Sequence, residues 1–163
     1  MRVYGVTGWK NTGKTTLTER LVAELVGQGL RISTVKHAHH ATEIDHPGRD
    51  SHRHRMAGAA QVIVASPVRW ALMTELRGAE EPPLADLLAH LDPCDLVLIE
   101  GYKSAPHPKI ETWRKATGRD LLAPQNATIR AIASDGPLKT ALPCFDLNDV
   151  AGIAAFIRAE VGL

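Results

Sequence analysis

Gly8-Trp9-Lys10-Asn11-Thr12-Gly13-Lys14-Thr15-Thr16 satisfies G-x-x-x-x-G-K-[ST] at every fixed position. Glycines at those places let the backbone curl. Successive N–H groups, and the positive end of a following helix, then converge on one set of phosphate oxygens. On this chemistry Gly8, Asn11, Thr12, Gly13, Lys14, Thr15 and Thr16 hold a nucleoside triphosphate. Lys14 reaches the β- and γ-phosphates, and the Thr15 hydroxyl coordinates Mg²⁺. The pattern requires a strand before it and a helix after it. Val3 to Thr7 reads as a short buried strand, and Leu17, Leu21, Val22, Leu25 and Val26 recur at helical spacing until Gly27 and Gly29 stop them.

A second oxygen donor is expected from Cys94-Asp95-Leu96-Val97-Leu98-Ile99-Glu100-Gly101, four consecutive aliphatics closed by a carboxylate. A continuous apolar run suits a strand buried on both faces. Glu100, at its tip, is placed beside the loop to hold Mg²⁺. Asp95 starts the strand, roughly 16 Å away at about 3.3 Å per residue, and is expected to cap the preceding turn. A base reader is sought among acids on the same edge. Guanine offers two adjacent donors that one carboxylate accepts together, through charge-assisted bonds strong enough to choose between purines. No N-K-x-D run is present. Asp135, ending the strand Ile129 to Ala133, either takes this role or starts the Asp-Gly-Pro turn.

Six of the eight histidines fall between His37 and His54, beside Asp45 and Asp50. Their spacing lacks H-x-x-x-H on a firm helix and no cysteine lies near, so a dedicated transition-metal site is disfavoured. A loop meeting phosphate, or a solvated loop, remains. The helix expected over Arg49 to Ala59 carries Arg49, Arg53 and Arg55, each either a γ-phosphate contact or a solvated face. Asp50 is able to orient a water.

Stepping outward, Arg31 to Val35 reads as a second strand, Leu84, Leu87, Leu88 and Leu91 as one helix face, Lys109 to Trp113 as a strand, and Val150, Ile153, Ala154 and Ile157 as the last helix, capped by Asn148. After the strand ending at Trp113 comes a polar excursion through Gly118-Arg119-Asp120. Gln61 to Ala65 and Arg69 to Thr74 form two strands around Ser66-Pro67-Val68. An exposed apolar ribbon of this kind invites pairing. Either it joins a homodimer or a helix of the same chain covers it.

The 163 residues suit a single nucleotide-binding domain, 1–163, of α/β class, with a mainly parallel twisted sheet flanked by helices. Lys and Arg number 19 against 18 for Asp and Glu, and aromatics are 4%. Neither a phosphate polymer nor a stacked single strand finds a platform, so no nucleic-acid partner is expected. Cys94 and Cys144 form no C-x-x-C pair, which fits a reduced, cytoplasmic setting. No apolar run approaches the length of a membrane span.

Taken together, the phosphate loop, Lys36-His37, Asp45-His46-Pro47-Gly48-Arg49-Asp50-Ser51, Asp95 to Gly101-Tyr102-Lys103 and Ala133-Ser134-Asp135 resemble the MobB family of molybdopterin-guanine dinucleotide biosynthesis proteins. The resemblance implies a GTP-binding, usually dimeric protein that assists a MobA-type nucleotidyltransferase in joining GMP to molybdopterin, and is at most a slow Mg²⁺-dependent GTPase. It implies Thr15, Asp50 and Glu100 as metal ligands, with Lys14 and Asp50 acting in any hydrolysis. The MinD-like branch of the wider class has a second lysine where this chain has Trp9, and Lys10 stands one residue too late. The rival reading is a small-molecule kinase or an ATP-dependent ligase on the same fold.

Overall fold

A computed structural model describes residues 1–38 and 44–163. In chain order the elements are β1 (Val3–Thr7), α1 (Lys14–Gly27), β2 (Ile32–Lys36), α2 (Asp50–Met56), β3 (Gln61–Ala65), β4 (Trp70–Thr74), α3 (Leu84–Ala89), β5 (Leu96–Glu100), β6 (Lys109–Trp113), β7 (Ile129–Ser134), β8 (Cys144–Asp146) and α4 (Val150–Val161). They form two compact units, one of Met1–His37 with Leu91–Leu163 and one of Ala38–His90.

The first unit is built on a six-stranded sheet in the order β2-β5-β1-β6-β7-β8, with parallel pairing throughout. This is the parallel sheet the sequence predicts. Leu96, Val97, Leu98 and Ile99 of β5 are fully buried, as an aliphatic run between two neighbouring strands must be. Leu17, Leu21 and Leu25 of α1, with Ile153, Ala154 and Ile157 of α4, close over Tyr4, Val6, Leu98, Ile110, Ala131 and Ala133 in one core. Each large aliphatic there contributes about 1.5–3 kcal/mol through burial. Parallel pairing has one consequence for chemistry: Lys36, Glu100, Trp113 and Ser134, the last residues of four strands, all lie along the edge where the loop after β1 begins.

Two details differ from the sequence-based expectation. The cap of α4 is Asp149, whose side chain accepts from Gly152 N at 3.0 Å, and not Asn148. Asp146 Oδ1 takes the Asn148 N–H at 2.7 Å, which moves the helix start one residue on, and the Asn148 side chain turns to accept from Arg20. The sheet also gains β8, three residues after Pro143 that are too few to show any periodicity. Asp95, expected to cap the turn before it, is instead bonded across to the segment that enters β2: its carboxylate accepts from Arg31 N at 2.7 Å, at the end of the sheet away from the loop.

In the second unit β3 and β4 pair antiparallel, Gln61 opposite Thr74 and Ala65 opposite Trp70. Ser66 closes the turn, its N and Oγ both donating to Arg69 O at 2.9 Å. Arg55 Nη1 meets Glu75 Oε1 at 2.6 Å, and Arg77 donates to the carbonyls of Arg55 and Ala59, so α2 is tied to the ribbon's base. Val62 is buried. Ile63, Val64, Trp70 and Leu72 stay exposed, at 65%, 44%, 68% and 40%, so among the described residues no helix of the second unit covers that part of the ribbon.

Candidate functional site

The loop between β1 and α1 is shaped by its glycines and by the end of β6. Gly8 has φ +142, and a β-carbon there would lie 2.5 Å from Thr112 O and 2.6 Å from Thr112 Oγ1. A side chain at this position would push the loop off the sheet. Asn11 and Gly13 also take positive φ. The Thr12 side chain is fully buried, donating to Trp9 O at 2.8 Å and sharing a 2.7 Å hydrogen bond with Thr112 Oγ1. It braces the loop from below and leaves only its backbone for a ligand.

A cavity of about 540 Å³ opens above the loop, lined by Lys10, Asn11, Gly13, Lys14, Thr15, Thr16, Glu100 and Arg114. Such a volume suits a nucleotide-sized ligand. Lys14 Nζ donates to Gly8 O at 3.1 Å and Trp9 O at 2.7 Å, folded across the loop's own carbonyls. Burial lowers its pKa, the Lys103 and Lys36 charges add to the fall, and Glu100 opposes it. The cation is held where an anion would relieve it.

Thr15 Oγ1 donates to Glu100 Oε1 at 2.8 Å, and Lys36 Nζ stands 3.5 Å from the same oxygen. Glu100 thus lies beside the loop hydroxyl. One hydroxyl and one carboxylate are hard oxygen donors of the kind Mg²⁺ takes beside phosphate oxygens and waters. Among the described residues no group of three or more His, Cys, Asp or Glu is gathered to hold a metal. His39 and His40 of the histidine cluster lie outside the described residues.

The turn after β5 has a geometric reason for its residues. Gly101 has φ +97, and a β-carbon there would stand 3.0 Å from His37 Cβ. Tyr102 follows with φ 45 and its ring lies 4.6 Å from that of His37. Lys36-His37 and Glu100-Gly101-Tyr102-Lys103 are therefore two halves of one corner beside the cavity. Lys103 Nζ sits 4.3 Å above the Trp9 ring, whose Nε1 donates to Asp120 O at 2.8 Å. Where the MinD-like branch has a lysine, this chain has an indole lying under one.

Asp135 lies past the end of β7, two strands from β1. Its Oδ1 accepts from Lys115 N at 2.9 Å, and it lines a recess of about 360 Å³ with Gly136, Pro137, Phe145 and Asp146. The turn itself is held by Ser134, whose Oγ donates to Gly136 O and accepts from Gly136 N. Turn initiation therefore belongs to the serine. Asp50, the remaining expected ligand, is on the second unit at the start of α2, exposed and 3.7 Å from Arg53. Asp45, in the same unit, is bonded by Ser51 and His46 N with Arg55 nearby, contacts that keep its carboxyl below the ordinary range. Arg55 is thus occupied with Asp45 and Glu75.

Arg114 was missed. It directly follows β6, in residues that read only as polar, and nothing local marks β6 as the neighbour of β1.

Residues 3–135 match the family described as Molybdopterin guanine dinucleotide synthesis protein B, MobB. The chain belongs to the MobB family. It is 43% identical over 154 residues to the molybdopterin-guanine dinucleotide biosynthesis adapter protein of Escherichia coli (strain K12), covering 91% of this chain and 87% of that one. It is 40% identical over 160 residues to the adapter protein of Haemophilus influenzae, covering 96% and 87%. The crystal structure of a MobB homologue from Bacillus stearothermophilus superposes with a TM-score of 0.75 at 34% identity, over 99% of both chains. The MobB match takes in the phosphate loop, the corner made by His37 and Tyr102, and Asp135 as its last residue.

Proposed function

We propose that this MobB family protein binds Mg²⁺–GTP in the cavity over the phosphate loop and serves as an adapter in molybdenum cofactor biosynthesis, assisting a MobA-type nucleotidyltransferase that joins GMP to molybdopterin. The 2.8 Å contact between Thr15 and Glu100, in one cavity with Lys14, carries the nucleotide half of this reading. The adapter relatives support the other half.

Lys14 leaves the carbonyls of Gly8 and Trp9 and turns to the β- and γ-phosphates, while the loop amides take the oxygens between them. Thr15 and Glu100 would hold Mg²⁺. The ion neutralises phosphate charge when bound. Asp135 Oδ1 accepts from Lys115 N with one lone pair, and the carboxylate offers its two oxygens side by side to the two guanine donors. Hydrolysis is slow, because phosphoryl transfer depends on an aligned water and on charge at the γ-phosphate, and Glu100, the one carboxylate lining the cavity among the described residues, is taken up with the metal. The exposed ribbon of Ile63, Val64, Trp70 and Leu72 joins two copies. Among the described residues no helix is long and apolar enough to cross a membrane.

Titration calorimetry with GTP, GDP and ATP in Mg²⁺ tests the proposal. GTP is expected to bind, ATP far more weakly, and the heat of GTP binding to shrink when Mg²⁺ is chelated. Equal binding of ATP would remove the guanine assignment, and absence of binding by all three would overturn the nucleotide reading.

A further inference from the structure

Arg114 hangs over the phosphate loop from the β6 side. The atoms nearest to a β-carbon built on Gly13 are Arg114 Nε at 3.3 Å and Nη2 at 3.4 Å. Its guanidinium lines the same cavity as Lys14, Thr15 and Glu100, yet makes no hydrogen bond or ion pair among the described residues. Its backbone, by contrast, is fixed. Arg114 O accepts from Thr117 N at 3.0 Å and Thr117 Oγ1 at 2.7 Å, and the next amide, Lys115 N, is held by Asp135. A half-buried cation on a secured backbone, with no partner of its own and facing a loop of amides, is prepared for an anion.

Strand order says which part of the anion. Glu100 stands at the tip of β5 on one side of β1, while Arg114 follows β6 on the other, with Asp135 after β7 farther out on that same side. A nucleotide whose metal-bound phosphates lie at Thr15 and Glu100, and whose base lies toward Asp135, passes Arg114 with its α- and β-phosphates. We infer that Arg114 grips the diphosphate portion common to GTP and GDP, as a binding residue that retains the product, and does not act as a finger on the γ-phosphate. This inference rests on the nucleotide reading above.

The experiment compares wild type, Arg114→Ala and Arg114→Lys by calorimetry with GTP and GDP in Mg²⁺, together with GDP dissociation rates. Arg114→Ala is expected to weaken both nucleotides by a similar factor, about tenfold to a hundredfold for one charge-assisted contact. GDP dissociation should quicken in proportion, and Arg114→Lys should recover part of the loss. Wild type that binds neither nucleotide would defeat the nucleotide reading before any variant is compared. Wild type that binds both, with Arg114→Ala unchanged or with a loss confined to GTP, would overturn the role of Arg114 alone. Should the alanine variant not fold, the lysine variant decides: unaltered affinity for both nucleotides and unaltered GDP release would overturn the guanidinium grip.

Discussion

Thr15 Oγ1 donates to Glu100 Oε1 at 2.8 Å across 85 residues of sequence. In the nucleotide complex the two oxygens would turn from one another to Mg²⁺. Glu100→Ala is therefore expected to remove most of the Mg²⁺-dependent gain in GTP affinity, about tenfold or more. Affinity in EDTA should hold or rise, because a carboxylate that repels phosphate is gone. Calorimetry with and without the metal checks both signs.

Lys14 is stored on the carbonyls of Gly8 and Trp9. Lys14→Ala should lower GTP affinity by about tenfold to a hundredfold, the size of one charge-assisted contact. Its melting temperature should change little, since the ammonium is partly desolvated on carbonyls that water is able to serve. A large drop in melting temperature would assign Lys14 a structural role instead.

His107 is buried and its Nε2 has no hydrogen-bond partner among the described residues. Burial first, then the Lys109 charge, pulls its pKa down to about 4 from 6.5. The folded state therefore binds fewer protons than the unfolded state between these values, and stability rises with pH across that window. In full it amounts to about 3 kcal/mol. Stability should fall as the solution is taken from pH 6.5 toward pH 4, and His107→Gln should flatten that slope in urea melts run side by side with wild type.

The Lys109 ammonium sits in the fold interior, donating to Ala105 O, His107 O and Thr128 Oγ1 at 2.6–2.8 Å. Burial lowers its pKa to about 8. Lys109→Met keeps the chain length but strands those acceptors, at a cost of about 1–3 kcal/mol for a buried unsatisfied group. Urea denaturation reads the loss directly.

Trp70 and Ile63 expose 68% and 65% of their surface on the ribbon. If this ribbon joins two copies, wild type sediments at twice the chain mass at micromolar concentration. The double variant Ile63→Glu, Trp70→Glu should then sediment as a single chain with its near-native melting profile retained. A wild type of single-chain mass would remove the homodimer.

Much of the sheet was legible because its signals are contiguous. The loop from Gly8 to Thr16 carries its chemistry in nine successive residues, and Leu96 to Glu100 couples an aliphatic run to a carboxylate that packing does not need. Arg114 was hidden for the opposite reason. Its importance comes from β6 lying next to β1, a pairing between residues about a hundred positions apart. The fate of Asn148 and Asp149 turned on a single amide taken by Asp146, and β8 on three residues. Asp45 and Arg55 each satisfy partners within their own unit that no spacing rule connects. Local periodicity reports elements; which ends meet is decided by tertiary pairing.

The Trp9 indole lies within the loop, donates to Asp120 O and carries the Lys103 ammonium over its face. A charge above an aromatic ring shifts its emission, and a triphosphate arriving next door would draw that ammonium away. On the proposed reading the chain would contain its own optical gauge of occupancy, legible by ultraviolet fluorescence without any dye once Trp70 and Trp113 are replaced by phenylalanine to darken the background.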